Sequence, residues 1–219
     1  AWAKRRTLDD PNFKVVIMSA TIDLDRLASF FNTKSVISVP GRTFDVEWHK
    51  SDNLTQEIFN AIDAPETKNV LVFLPGKSEI EAVGEIISQK AQENNIIVLP
   101  LHSQLELDEQ QKVFEHYPDG KIILSTNIAQ TSVTISDIDL VIDSGLERRI
   151  EVRDGVEGLF IGEISQSDVK QRAGRAGRTK EGEYYLAKLD EMPSSKFEKR
   201  AEFATPEILR THIDRTVLR

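Results

Sequence analysis

The strongest constraint on the fold is a repeated alternation between short, mostly apolar segments and segments with helical periodicity. The apolar segments are Asn69–Leu74, Ile96–Leu101, Lys121–Leu124 and Leu140–Asp143. A strand that is buried on both faces is apolar almost throughout, whereas a strand with one solvated face alternates. The pattern therefore predicts an α/β fold, in which helices cover both faces of a mainly parallel sheet.

Weaker patterns predict the remaining elements. Asp154-Gly155 has the residue types of a tight hairpin turn and predicts a β-hairpin over 148–164. Two capping-box patterns, which begin at Ser78 and Ser165, predict the starts of two helices. The other predicted elements are helices over 23–31, 54–64 and 198–219, a helix from Asp108 that carries Val113, Phe114 and Tyr117, and strands over 15–18, 35–40, 44–49 and 183–188.

Polar clusters follow several of the predicted strands. Open α/β sheets bind ligands at the carboxyl ends of their strands. Hydroxyl and amide side chains suit contacts to phosphate groups there, although Ser and Asn are also common in ordinary loops. The clusters are Ser19-Ala20-Thr21, Pro75-Gly76-Lys77-Ser78, His102-Ser103, Ser125-Thr126-Asn127 and Ser144-Gly145.

Charge and composition narrow the function classes. The chain has 28 basic and 36 acidic residues, a net charge of −8, and no cysteine. The missing cysteines exclude disulfides, thiolate zinc sites and a cysteine nucleophile. The acidic balance argues against broad, nonspecific nucleic-acid binding but permits a local basic groove. One interval has a net positive charge, because residues 169–180 include five basic residues and no acidic residue.

That basic interval contains the sharpest motif, Gln171-Arg172-Ala173-Gly174-Arg175-Ala176-Gly177-Arg178. If the segment is helical, Gln171, Arg175 and Arg178 share one face. Glycines inside a helix cost about 1 kcal/mol each, which indicates a close approach of backbone or ligand. Two guanidinium groups on one face form a clamp for a triphosphate, and we expect them to point outward where the strands end. The alternative is a solvated basic face.

Other candidate sites are weaker. Gly76-Lys77-Ser78 resembles the end of a P-loop, but that motif needs a glycine where this chain has Leu71. The segment still opens a helix, so we interpret it as a contact to a nucleic-acid backbone. The four histidines are scattered without metal-ligand spacing. Asp143 ends a buried strand and is either functional or a cap for the next turn.

The ordered set of motifs resembles the DEAH-box ATP-dependent helicases of superfamily 2. Ser19-Ala20-Thr21 resembles the motif that couples ATP hydrolysis to strand separation, and Phe73-Leu74-Pro75-Gly76 resembles the fourth motif. The run from Ser125 to Ser132 resembles the fifth motif, and Gln171–Arg178 matches the sixth at all eight positions. Pro206–Arg210 resembles the end of the second RecA-like domain.

The resemblance implies a fold and a domain plan. The fold would be a RecA-like, three-layer α/β/α domain with a mainly parallel sheet and an added β-hairpin. Residues 1–48 would hold the end of the first lobe and the connection between lobes. Residues 49–205 would form the second RecA-like domain, with the hairpin at about 147–164, and 206–219 would begin the following helical region.

The resemblance also implies roles for nucleotide-binding residues. Arg175 and Arg178 would be arginine fingers on the γ-phosphate, and Gln171 would orient the attacking water or the phosphate. Phe114 would stack on the nucleotide base, unless it is a core residue of an amphipathic helix. The family often has an acid at the position of Ser136, and Asp137, one position later, is the candidate here.

Further residues would contact RNA or couple hydrolysis to movement. The hairpin would separate strands, with its arginines adding positive charge. The chain departs from the family at Gln130, where the fifth motif usually has Glu, and at Asp45, which replaces a common Pro. The implied RNA contacts are Gly76, Lys77, Ser103, Thr126, Asn127 and Ser132, and the implied coupling residues are Ser19 and Thr21.

The expected function is therefore that of the C-terminal half of an ATP-dependent RNA helicase, a hydrolase acting on acid anhydrides. ATP or another NTP, with Mg²⁺, would be bound mainly by the first RecA-like domain, which this chain lacks together with the P-loop and the Asp-Glu-x-His motif. The fragment alone is expected to be inactive. The expected partners are single-stranded RNA and that first domain. No membrane association is expected, and the expected location is the cytoplasm. The alternative is a stand-alone RNA- or protein-binding module without NTPase activity, which upstream P-loop and Asp-Glu-x-His motifs would exclude.

Overall fold

The chain divides into two compact units, which are described separately. The computed structural model describes residues 2–18, 24–38, 44–64, 69–131 and 133–211. The first unit is Ala1–Gly41 and the second is Arg42–Arg219. The described residues of the first unit form helices α1 (Trp2–Asp9) and α2 (Leu24–Phe31).

The two strands predicted in the first unit are not found among its described residues. Residues 13–18 and 33–38 have no regular secondary structure. Val16 and Met18 are 79% and 88% exposed, and no strand in the described part of this unit pairs with them. The apolar pattern is typical of a strand, but a strand requires a neighbour for its hydrogen bonds.

The second unit is built on a six-stranded sheet, and all of its pairs are parallel. The order across the sheet is β1-β8-β5-β2-β4-β3. The strands are β1 (Val46–Ser51), β2 (Asn69–Phe73), β3 (Ile97–Leu101), β4 (Lys121–Ser125), β5 (Leu140–Asp143) and β8 (Gly182–Ala187). The helices are α3 (Leu54–Asp63), α4 (Lys77–Glu93), α5 (Leu107–Gln111), α6 (Ile128–Thr131) and α7 (Gln166–Ala173).

Both faces of this sheet are covered, which confirms the predicted three-layer α/β/α architecture. Val70 and Val72 of β2 belong to a core that includes Ile58 of α3 and Ile87 of α4. The alternate residues of β2 belong to a second core on the other face, together with Val169 of α7. The continuously apolar strands are therefore explained by burial on both sides.

The predicted hairpin is present as a separate two-stranded sheet. It consists of β6 (Leu146–Arg153) and β7 (Val156–Glu163), which pair in antiparallel register. Asp154 and Gly155 form the turn, with φ values of 52° and 77°. Positive φ at both positions is the geometry that favours Asp-Gly in a two-residue hairpin turn.

Several predicted helices differ in extent. The helix predicted from Asp108 ends at Gln111 and continues as a 3₁₀ turn over Lys112–Phe114, so that Tyr117 lies beyond it. The predicted helix over 198–219 is wrong for its described part, which contains only two 3₁₀ turns. Arg200 explains part of the missing helix, because its side chain donates to the carbonyl oxygens of Gly145 and Ile164 at 2.7 and 3.1 Å. These contacts hold the segment against the base of the hairpin.

Candidate functional site

The carboxyl ends of β2, β3 and β4 bring together most of the residues expected to contact nucleic acid. These strands are neighbours in the sheet. Lys77, Ser103 and Asn127 follow them and are exposed, and Thr126 is half-buried. This edge therefore offers hydroxyl, amide and ammonium groups to a ligand. Ser132, Ser19 and Thr21 lie outside the described residues.

Helix α4 begins at this edge. Gly76 is its N-cap residue and provides no side-chain cap. The capping box predicted from Ser78 is wrong, because the helix starts before it and the Ser78 hydroxyl donates to Glu79 Oε1 at 3.2 Å. The first N–H groups of α4 thus have no capping side chain, which is the arrangement that suits an anion. Lys77 is paired with Glu81 of the next turn, at 3.6 Å.

Arg148 of the hairpin covers Gly76. A Cβ atom at Gly76 would lie 2.6 Å from Arg148 Nε. The Arg148 guanidinium donates to Glu79 Oε1 at 2.7 Å and to Ser78 Oγ at 3.0 Å. Gly76 is buried beneath this side chain, so a ligand reaches the Gly76 backbone only if Arg148 moves.

The expectation that the hairpin adds positive charge is wrong. Its two strands and turn contain three arginines and five acids. Arg149 pairs with Glu147 and Glu151, and Arg153 pairs with Glu151 at 2.9 Å. Because each arginine has an acidic partner, the hairpin presents no excess of positive charge to a phosphate backbone.

The sixth-motif segment is only partly helical. Helix α7 begins with the predicted capping box, in which Ser165 and Asp168 bond reciprocally, and it ends at Ala173. The prediction that Gln171, Arg175 and Arg178 lie on one helical face is therefore wrong. The close approach expected at the glycines is real at Gly177, where a Cβ atom would lie 2.6 Å from the backbone oxygen of Phe44.

Arg175 is held by its own domain. It is only 7% exposed and donates to the backbone oxygen of Val133 at 3.0 Å and to that of Gln130. Burial, and then the positive charge of Arg178, lower the pKa of Arg175 to about 10. The guanidinium thus remains charged at neutral pH, although its surroundings disfavour the charge.

Arg178 is half-buried, and no described residue provides it with a compensating anion. Its buried Nε has no hydrogen-bond partner. The ion pairs of this segment join Arg172 to Asp143 and Lys180 to Asp139. Among the described residues, neither Arg175 nor Arg178 takes part in a salt bridge. Two neighbouring cations without a carboxylate form a site where an added anion would be stabilised.

Phe114 and Asp137 are brought together by a residue that the sequence analysis missed. Lys121 is fully buried and donates to the backbone oxygens of Val113 and Glu115 at 2.8 and 2.9 Å. Its Nζ also lies 2.9 Å from Asp137 Oδ2. Phe114 lies between these two carbonyls and is 54% exposed, so it is not the core residue that was the alternative.

The predicted nucleotide residues lie away from the carboxyl edge. Asp137 accepts from Asn69 and Lys121, which begin β2 and β4, and Thr179 donates to Ser136 O at 3.0 Å. The expectation that Arg175 and Arg178 point outward where the strands end is therefore wrong, and Arg175 is in addition buried. The chain leaves that edge at the start of α7 and must return to the amino edge to begin β8, so Arg175 and Arg178 lie on the return path.

A buried network anchors α7. Arg172 and Asp143 are both fully buried, and Arg172 Nη1 lies 2.7 Å from Asp143 Oδ1. The Tyr184 hydroxyl donates to Asp143 Oδ2 at 2.8 Å, and burial raises the pKa of Tyr184 well above its usual value. Asp143 also accepts from the Gly145 N–H at 2.7 Å. It is therefore both a turn cap and the counter-ion of Arg172.

Comparison with known proteins identifies the family. The family model described as the helicase conserved C-terminal domain matches residues 49–180. The ATP-dependent RNA helicase HrpA of Escherichia coli is 36% identical over 224 residues, covering 95% of this chain and 17% of that protein. The ATP-dependent RNA helicase DHX33 of Mus musculus is 32% identical over 236 residues, covering 100% of this chain and 33% of that protein. The crystal structure of the E. coli DExH-box NTPase HrpB superposes with a TM-score of 0.80 at 32% identity, covering 92% of this chain and 26% of that one.

This chain belongs to the DEAH-box helicases, as a second RecA-like domain. It spans 17% and 33% of the length of these two curated relatives. In the described part of this RecA-like domain and the unit before it, no group of His, Asp or Glu side chains could hold a metal ion. No helix there is long and apolar enough to cross a membrane.

The RecA-like domain thus has two separate polar regions. The first, at the carboxyl ends of β2, β3 and β4, contains the residues expected to bind nucleic acid. The second, beside residues 133–139, contains Phe114, Asp137, Arg175 and Arg178.

A buried acid at the end of an apolar strand, such as Asp143, is the sequence signal that indicates a buried cation. Nothing local in the sequence marks Arg172 as its partner.

Proposed function

We propose that this RecA-like domain is the C-terminal half of an ATP-dependent RNA helicase, and that it completes a nucleotide site whose P-loop and Mg²⁺-binding groups belong to the first RecA-like domain. Residues 1–48 would then hold the end of the first domain and the connection, and residues 49–205 the second domain. Residues 206–219 would begin the next region, and Ser19 and Thr21 would couple hydrolysis to movement. A cytoplasmic location is part of this proposal.

The uncompensated pair of Arg175 and Arg178 is the observation that carries the proposal. A triphosphate would supply the negative charge that the described residues around these arginines do not. Arg178 is the more accessible of the two, since Arg175 is buried and already binds two backbone carbonyls. A guanidinium has five N–H donors, so Arg175 retains donors for a phosphate oxygen. Arginine fingers stabilise charge that develops in the transition state.

Phe114 and Asp137 complete the nucleotide site in this proposal. The exposed ring of Phe114 is available to stack on a base, which any nucleotide can supply. Asp137 is half-buried, and its carboxylate is fixed by Lys121. Asp137 adjoins the segment that Arg175 and Thr179 contact, and Lys121 links Asp137 to the backbone on either side of Phe114. This connection supports a single bound nucleotide rather than two separate ligands.

The carboxyl edge would bind the RNA backbone. Lys77, Ser103, Thr126 and Asn127 supply contacts that suit phosphates and riboses and that carry little sequence information. Gly76 would join them only after Arg148 withdraws, and Ser132 completes the proposed set. The separation of this edge from the arginine pair supports a motor in which one region binds RNA while another binds the nucleotide.

The isolated 219-residue chain is expected to hydrolyse ATP at a negligible rate, with or without RNA. Its arginines would stabilise a transition state only on a triphosphate that another domain holds. Phosphate release from ATP, measured with and without single-stranded RNA, tests this. Robust RNA-stimulated hydrolysis that disappears in Arg178→Ala would contradict it, because the catalytic site would then be complete within this chain.

A further inference from the structure

Lys121 is the first residue of β4, and its ammonium group is fully buried. A buried charge is costly unless charged and polar groups surround it. Lys121 Nζ donates to the backbone oxygens of Val113 and Glu115 at 2.8 and 2.9 Å, and it lies 2.9 Å from Asp137 Oδ2. The ring centroid of Tyr117 is 5.9 Å from Nζ. The three N–H donors of the ammonium therefore have three acceptors.

Two of these contacts hold the end of a helix. Helix α5 continues directly into the 3₁₀ turn that ends at Phe114. The last carbonyl groups of a helix have no partner inside it, and a cation at that end is favourable. The carbonyl groups that Lys121 binds belong to Val113 and Glu115, which flank Phe114. One side chain thus fixes the backbone on both sides of Phe114.

The turn separates its two apolar side chains. Val113 is fully buried and belongs to the core on the α7 side of the sheet, whereas Phe114 is 54% exposed. Because Val113 is anchored in the core and the neighbouring carbonyl groups are bound, the backbone at Phe114 is fixed while its ring stays accessible. A ring that is ordered before binding loses less conformational entropy when a base stacks on it.

The third contact ties this turn to the segment that Arg175 binds. Asp137 and Val133 belong to the same short segment, and the backbone oxygen of Val133 accepts from Arg175 at 3.0 Å. Lys121 thus connects the turn that carries Phe114 to the segment that Arg175 contacts. In the proposed nucleotide site, these two parts would bind the base and the phosphates, so their separation must suit a single nucleotide.

We propose that Lys121 is a positioning residue that holds the ring of Phe114 at the place where a nucleotide bound by the arginine pair can stack on it. Lys121 is fully buried and does not itself contact the nucleotide. This inference rests on the proposed function, because it takes the exposed ring of Phe114 to be the platform for the base. Loss of Lys121 should therefore weaken the binding of the base and leave the binding of phosphate groups intact.

Calorimetric titrations of the full-length protein with ADP and with inorganic pyrophosphate test this role. Lys121→Met removes the ammonium and keeps an unbranched side chain. We expect it to raise the Kd for ADP by ~5-fold to 10-fold, a large part of the loss expected when Phe114→Ala removes the stacking platform. Pyrophosphate has no base, so its Kd is expected to stay within ~2-fold of the wild-type value. A general weakening of the domain would raise both constants.

A double variant with Phe114→Ala decides whether Lys121 acts through Phe114. Residues that act through one another have non-additive effects, so adding Lys121→Met to Phe114→Ala is expected to raise the Kd for ADP by less than ~2-fold. A larger further rise would overturn the positioning role. An unchanged Kd for ADP in Lys121→Met, or an equal rise in the Kd for pyrophosphate, would overturn it as well.

Lys90→Met is the matched control. Lys90 also pairs with an aspartate, Asp63, and its Nζ lies 5.1 Å from the ring centroid of Phe59. It belongs to α4, which packs on the opposite face of the sheet from Val113. This variant loses a comparable ion pair and ring contact far from the Phe114 turn, so wild-type binding of ADP is expected.

Two further comparisons keep the outcomes distinct. If circular dichroism shows that Lys121→Met does not fold, Lys121→Gln replaces it under the same criteria, because glutamine keeps two N–H donors in a shorter side chain. Unchanged binding of ADP in Phe114→Ala would overturn the assignment of Phe114 to the nucleotide site. Weaker binding in Phe114→Ala, combined with wild-type binding in the Lys121 variant, would overturn only the role of Lys121.

Discussion

Replacing Arg172 with methionine is expected to lower the free energy of unfolding by ~3–5 kcal/mol. Arg172 and Asp143 are both fully buried, and their ion pair spans 2.7 Å. Among the residues that the structure describes, removing the guanidinium leaves the Asp143 carboxylate without a paired cation, with the Tyr184 hydroxyl and a backbone N–H as its remaining donors. It also removes the contact between the Arg172 guanidinium and the ring of Phe73. Urea denaturation of the 219-residue chain, followed by circular dichroism, measures the loss.

Arg153→Ala is the matched control for this experiment. Arg153 also pairs with an acid, Glu151, but its side chain is 49% exposed. Exposed pairs contribute about 0–1 kcal/mol, so this variant is expected to unfold nearly as the wild type does. Removing both charges, in Arg172→Met with Asp143→Asn, should recover part of the loss. Equal, small effects for Arg172→Met and Arg153→Ala would show that the buried pair does not anchor α7.

Arg175→Ala and Arg178→Ala are each expected to reduce NTP turnover by ~10³-fold or more in the full-length protein, the size of effect that arginine fingers have elsewhere. The two arginines lack acidic partners among the described residues, so their charge is available to a triphosphate. Steady-state hydrolysis with saturating RNA measures the effect, and kcat and KM are determined separately.

The two variants differ in what else they remove. Arg175→Ala also deletes hydrogen bonds to Gln130 and Val133, so its melting temperature must be measured beside its turnover. Arg178→Ala removes no hydrogen bond within the described residues and is the cleaner test. Lys180→Ala is the matched control, because it deletes a nearby positive charge that is 63% exposed and already paired with Asp139. Turnover in Arg178→Ala equal to that in Lys180→Ala would refute the finger assignment.

The sheet was predictable because its signal is local. Each strand between Asn69 and Asp143 carries its own apolar run. Short apolar runs that alternate with helices are typical of parallel strands buried on both faces. The hairpin was predictable for a similar reason, since Asp154-Gly155 can adopt the positive φ values of the turn. The segment 13–18 has a similar apolar pattern, but in the described part of its unit it has no strand beside it.

The site was less predictable because its contacts join distant parts of the chain. Arg172 meets Asp143 across 29 positions, and Gln130 meets Gln171 across 41. No local pattern shows that Lys121 fixes both Asp137 and the Phe114 turn. The three arginines of the hairpin predicted added positive charge, and this prediction was wrong because neighbouring acids pair with them. The motifs therefore supplied the candidate residues, while the grouping of these candidates into two regions required the fold.

The most direct test of the central claim compares two nucleotide complexes of the full-length protein. Wild type and Arg178→Ala are titrated with ADP alone and with ADP plus aluminium fluoride, which mimics the phosphoryl group in the transition state. An arginine that acts on the γ-phosphate contributes to the second complex and little to the first. We expect the variant to bind ADP nearly as tightly as the wild type, and to bind ADP with aluminium fluoride ~10²-fold or more weakly. Equal affinities of wild type and variant for both complexes would contradict the account.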